Sequence, residues 1–66
     1  MTFQVNGNAH TAGAPLTVSD LLIELGFAGR PVVVEHNGRA IFPREHAETC
    51  LNEGDKIEIV QITAGG

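Results

Sequence analysis

The chain has 66 residues, 42% of them hydrophobic, which makes it one small domain of a size that buries only about 60% of its unfolded surface. Its single cysteine excludes an internal disulfide, and with it the disulfide scaffolds of small secreted domains, so a reducing cytoplasm is the natural setting. Eight acidic residues against four basic ones, a net charge of -4, disfavour nucleic acid as the main partner, and no apolar run approaches the ~20 residues of a membrane span.

No charged-then-apolar segment opens the chain, so no leader is expected and only Met1 is a candidate for removal. Met1, Phe3 and Val5 alternate with Thr2 and Gln4, the period of a strand with one buried face. Asn6-Gly7 supplies a two-residue hairpin signal, and a weaker strand should follow within Asn8 to Ala12. From Thr17 the period changes. Val18, Leu21, Leu22 and Leu25 fall on one helical stripe, Thr17 with Asp20 matches a capping box, and Gly26 stands where a left-handed terminating residue belongs. Phe27 is then placed to pack back on Leu22. This predicts a helix of roughly two turns, too short to persist without packing on a sheet.

Pro31 leads into the β-branched run Val32 to His36, which Asn37-Gly38 folds back onto Arg39-Ala40-Ile41-Phe42. A two-residue turn sets His36 opposite Arg39, Glu35 opposite Ala40, Val34 opposite Ile41 and Val33 opposite Phe42, and opposed residues share a face. Arg44 to Cys50 has no clean period and reads as an irregular or single-turn link that Leu51 anchors. Asn52-Glu53-Gly54-Asp55 reads as a turn that accounts for its own acidic residues, and Lys56 to Ile62 as the last strand. Ile57 and Ile59 belong to one face of that strand. Glu58, Val60 and Ile62 fall on the other, which one helix cannot cover, so Val60 and Ile62 should be exposed.

The chain closes on Thr63-Ala64-Gly65-Gly66. Two terminal glycines have nothing to pack and wide backbone freedom, so residues 1–62 are expected to form the domain and 63–66 a flexible tail. Four residues extend on the order of 13 Å, enough to carry the end into another protein's active site. The group presented is the Gly66 carboxylate, ionised at neutral pH. Such a carboxylate is a poor electrophile and needs activation, for instance as a mixed anhydride with a nucleotide phosphate, by another protein.

Taken together, the order of these elements resembles the ubiquitin-like β-grasp fold, and the local text is closer to one group within it. Val-Asn-Gly near the start, Thr-Val-Ser-Asp-Leu-Leu on the helix, Val-Val-Val-Glu-His-Asn-Gly, Pro43-Arg44, Ala47 to Leu51, Gly54-Asp55 with Ile57 to Val60, and the tail resemble the ThiS sulfur carriers of thiamin biosynthesis over essentially the whole chain. The resemblance implies an α+β fold with a mixed sheet of about five strands and one main helix on one face, the final strand central between the first strand and the Val32 to His36 strand. It implies a protein co-substrate that is not itself an enzyme, monomeric when alone, with no cofactor of its own. In the family, a ubiquitin-activating-like adenylyltransferase of the ThiF type uses ATP to adenylate the terminal glycine, here Gly66. Sulfur derived from cysteine then gives a thiocarboxylate, which a ThiG-type thiazole synthase consumes. Gly65 and Ala64 would give the tail access. Two alternatives share the fold and tail: the small subunit of a molybdopterin synthase and a ubiquitin-like protein modifier.

Other reactive side chains fit this picture without chemistry of their own. Cys50 beside Leu51 is expected to be a small packed hydrophobe, since the family's sulfur sits at the C-terminus. His10, His36 and His46 lack ligand spacing and read as surface or edge residues. Arg44 is either a docking charge or solvated. With the final strand central, parity gathers Val33, Phe42, Val60 and Ile62 on the face away from the helix, beside the root of the tail, as the expected partner-docking patch.

Overall fold

The computed structural model describes residues 1–63. Strand β1 (Thr2–Val5) and strand β2 (Asn8–Thr11) form an antiparallel hairpin in which Val5 opposes Asn8 and Thr2 opposes Thr11. Asn6 and Gly7 between them take φ values of 50° and 83°, the left-handed pair that lets a two-residue turn follow the natural strand twist.

Helix α1 (Val18–Glu24) is short, and both of its ends are closed by hydrogen bonds. Thr17 Oγ1 accepts the Asp20 N–H and Asp20 Oδ2 accepts the Thr17 N–H, each at 3.1 Å. The next two orphan donors are met from far along the chain: Val18 N–H reaches the Thr49 carbonyl at 2.9 Å and Ser19 N–H the His46 carbonyl at 3.0 Å. All four N-terminal donors that a helix leaves open are thereby satisfied. At the other end Gly26 takes φ 83°, its N–H bonds Ile23 O at 3.1 Å, and Phe27 N–H bonds Leu22 O at 2.8 Å, the paired bonds of a Schellman stop.

Strand β3 (Val32–His36) pairs antiparallel with β4 (Arg39–Ile41) through the Asn37-Gly38 turn, in the register read from the sequence for its first three pairs. The fourth pair, Val33 with Phe42, is outside the ladder. Pro43 has no N–H to donate, and Phe42 N–H instead donates to Glu45 Oε2 at 2.6 Å as the chain enters a single 3-10 turn over Pro43–Glu45. Strand β5 (Lys56–Gln61) ends one residue earlier than expected; Ile62 N–H bonds the Pro31 carbonyl at 2.9 Å.

The sheet order is β2-β1-β5-β3-β4, with β5 parallel to β1 and antiparallel to β3. The fold is therefore α+β, a mixed five-stranded sheet with one α-helix. Phe3, Val34, Ile41, Ile57 and Ile59 from the sheet meet Val18, Leu21 and Leu22 of α1, and Leu51 completes the buried core. Leu51 anchors the link as expected, its N–H bonding Leu16 O at 2.9 Å. Leu25 departs from the expected stripe. It stands at the C-cap, still helical in its backbone angles, and is 36% exposed; Phe27, half-buried and brought back by the turn at Gly26, packs on the core in its place.

Candidate functional site

Alternation along β5 sorts its side chains into two sets. Ile57 and Ile59 lie in the core, while Glu58 and Val60 project from the opposite face. The neighbouring strand continues the division: Val34 is buried, and Val33 and Glu35 are exposed. Register then puts Val33 directly opposite Val60, and Glu35 directly opposite Glu58.

Val33, Phe42, Val60 and Ile62 are 40%, 60%, 59% and 53% exposed, large values for side chains of their size and polarity. Val33 and Phe42 line a hollow of about 240 Å³ with Val32, Ala40, Ile41 and Pro43. The Arg44 guanidinium carbon lies 4.7 Å from the Phe42 ring centroid, so Arg44 stacks on the aromatic face as a cation. At the edge of this surface the Ile62 to Pro31 hydrogen bond fixes where the chain leaves the sheet. Gly66, Gly65 and Ala64 lie outside the described residues.

A second polar cluster occupies the far end of β5. A six-residue strand spans about 17 Å, and before its first residue stands Asp55, 8% exposed. Asp55 Oδ2 lies 2.8 Å from His36 Nε2 and accepts the Asn52 N–H at 2.9 Å, while Oδ1 accepts from Asn37 Nδ2 at 3.1 Å. Burial pushes its pKa up, but the hydrogen bonds from His36, Asn52 and Asn37, with the charge of His36, outweigh burial and hold it below 3.8. Asp55 is thus a buried anchor and not a solvated turn residue, and His36 is its partner and not an ordinary edge histidine. The sequence pattern of a turn concealed both, because the contacts join residues 18 and 19 positions apart.

Cys50 also differs from expectation. It is exposed, bridging to Thr17 through the backbone and grouped with Met1 and Asn52 around a second hollow. Leu51 takes the core position beside it, and the alternation of the bridge turns Cys50 outward. Among the described residues no three His, Cys, Asp or Glu side chains converge as a metal site, and no helix is long and apolar enough to cross a membrane.

The asparagines of the two hairpin turns carry a role beyond their φ angles. Asn6 Oδ1 accepts the Ile59 N–H at 2.7 Å and its Nδ2 donates to Ile59 O at 3.3 Å, while Asn37 Oδ1 accepts the Lys56 N–H at 2.9 Å. Both clamp the backbone of β5. An amide offers donor and acceptor together, which is a signal for Asn over Asp at these turns.

Comparison with known proteins agrees with this architecture. The chain is 39% identical over 66 residues to a thiazole synthase of Paramagnetospirillum magneticum and 38% to one of Magnetococcus marinus, but it spans only 20% of the length of each. It is 32% identical over 66 residues to the uncharacterized protein ycf40 of Porphyra purpurea, covering 93% of that protein. The crystal structure of the thiamine biosynthesis protein ThiS from Geobacter metallireducens superposes with a TM-score of 0.86 at 35% identity, each chain covered completely. The sequence model of the ThiS family matches residues 3–66, and with the sheet order, the helix and the full-length superposition in agreement, the chain belongs to the ThiS family.

Proposed function

We propose that this protein is a sulfur carrier of thiamin biosynthesis, with the Gly66 carboxylate as the group that is loaded. The observation that carries the reading is the full-length likeness to the Geobacter thiamine biosynthesis protein. In this reading an adenylating enzyme of the ThiF type uses ATP to convert the carboxylate to an acyl adenylate with release of pyrophosphate. A sulfide-level sulfur nucleophile then attacks the acyl carbon, the bond to AMP breaks and AMP leaves, and the product is a thiocarboxylate. The carrier supplies no catalytic side chain; charge on the reacting oxygens is stabilised by the enzyme it visits. A ThiG-type thiazole synthase is the acceptor, supported by the two thiazole synthases that each contain a segment similar to this whole chain. Val33, Phe42, Val60 and Ile62 form the surface that docks on these enzymes, with Ala64 and Gly65 as the narrow tail that enters the active site.

The intact mass of the protein isolated from its host tests the reading. Replacement of one terminal oxygen by sulfur is expected on Gly66, and large conjugates through lysine would instead indicate a protein modifier. A chain lacking Gly66 has its carboxylate drawn back by up to about 3.6 Å, and should stay folded while losing ATP–pyrophosphate exchange with the adenylating enzyme. Cys50→Ser should form thiocarboxylate within a few-fold of wild type, since the exposed thiol lies at the end of the sheet away from Ile62. Exchange that persists without Gly66, or thiocarboxylate lost in a folded Cys50→Ser protein, would overturn the mechanism.

A further inference from the structure

Glu35 and Glu58 are directly opposed across β3 and β5, both exposed and on the face without the helix. Opposed residues in an antiparallel pair hold their Cβ atoms about 4.5–5.5 Å apart, and like charges in that position destabilise a sheet. Among the described residues neither carboxylate has a cation within ion-pair distance. The ion pairs among the described residues are His10 with Glu24, His36 with Asp55, and Arg39 with Glu45. Lys56 shares the face with Glu58 two residues away, yet lies beyond ion-pair distance of either carboxylate. The next opposed pair along the same two strands is Val33 with Val60. A doubled negative charge therefore adjoins the exposed Val33 and Val60 in the middle of the sheet, with Phe42 beyond them just past the end of the edge strand β4.

We propose that this face docks on a protein surface that inserts an arginine between Glu35 and Glu58 while apolar side chains cover Val33, Val60 and Phe42. The proposal rests on the reading of this face as the carrier's docking surface and adds the chemistry of the partner. A guanidinium offers several N–H donors in a plane and can bond two carboxylates at once. A cation arriving between the two carboxylates would offset their like charge, so the pair favours a basic partner over a neutral apolar one. A second copy of this chain is the wrong occupant: stacking two such faces would gather four carboxylates on proteins that each carry a net charge of -4.

The test is a titration of the adenylating enzyme and of the thiazole synthase with wild type, Glu35→Gln/Glu58→Gln and Val60→Asp carriers at low and moderate salt, alongside thermal unfolding of each free carrier. The double glutamine variant should unfold at a higher temperature than wild type, bind at least one enzyme about tenfold or more weakly, and lose most of the salt dependence of that binding. A change in stability alone, with binding and its salt dependence intact while Val60→Asp fails to bind, would overturn the arginine contact and leave the docking surface standing. Normal binding by all three carriers would overturn both. Self-association of the double glutamine variant, with no loss of enzyme binding, would show that the charges act against dimers and would also overturn the proposal.

Discussion

Asp55 links three parts of the chain through one carboxylate: the turn at Asn52, the second hairpin at Asn37 and the end of β3 at His36. Its pKa lies below the ordinary 3.8 in the folded protein, so the folded state holds its proton less tightly than the unfolded state does. The stabilisation it gives is complete above the unfolded value and fades as pH falls through the lower folded one. Urea midpoints measured from neutral pH down to about pH 2 should therefore drop on the acid side. Asp55→Asn should be less stable at neutral pH by about 1.5–3 kcal/mol, the range for hydrogen bonds to a charged group, and should show a shallower acid limb. An unchanged limb would mean that other carboxylates govern acid unfolding.

Asn6 and Asn37 show how the hairpins and the last strand depend on one another. Each residue accepts the left-handed turn and then spends its side-chain amide on the backbone of β5, so a local turn signal also sets a contact across up to 53 positions. Asn6→Ala should cost about 1–3 kcal/mol, from lost hydrogen bonds and from an alanine forced to positive φ; Asn6→Gly keeps the turn and isolates the hydrogen-bond share. Chemical denaturation at constant m-value measures both. Elements written in adjacent residues were legible from the sequence: the capping box at Thr17, the Gly26 stop and the Asn-Gly hairpin registers all came from local spacing. What was not legible depends on distant partners. The Arg44 to Cys50 link has no period because its order comes from backbone carbonyls given to α1, with Thr49 bonding Val18 and His46 bonding Ser19. Leu25 and Cys50 were misplaced for a related reason: each sits at the boundary of a regular segment, where the period that assigns faces no longer applies.

Across the whole sheet the parity of β5 decides which residues can meet a partner, and that division followed from the sequence once the strand was taken as central. The site is less legible than the fold, since exposure of Val33, Phe42, Val60 and Ile62 is a matter of pattern whereas the opposition of Glu35 and Glu58 requires the β3–β5 register, which no turn encodes. Val60→Asp and Phe42→Asp should change the urea midpoint little, because neither side chain leaves a buried position, and each should weaken binding to both proposed enzymes by about tenfold or more. Unfolding by either variant would mean that the face contributes to the core.

The central strand is also the last one made. β1, at the start of the chain, has β5 as its inner neighbour, and β3 completes its own pairing only through the same strand. During synthesis the two hairpins can form early, but they stay separate until residues 56–61 join them, so closure of the sheet waits for β5. A chain that stops before β5 cannot join its two hairpins, so the exposed Val33 and Val60 come together only once β5 has paired with β3. Under the proposed function, a partner that reads this face would accept only molecules whose sheet has closed.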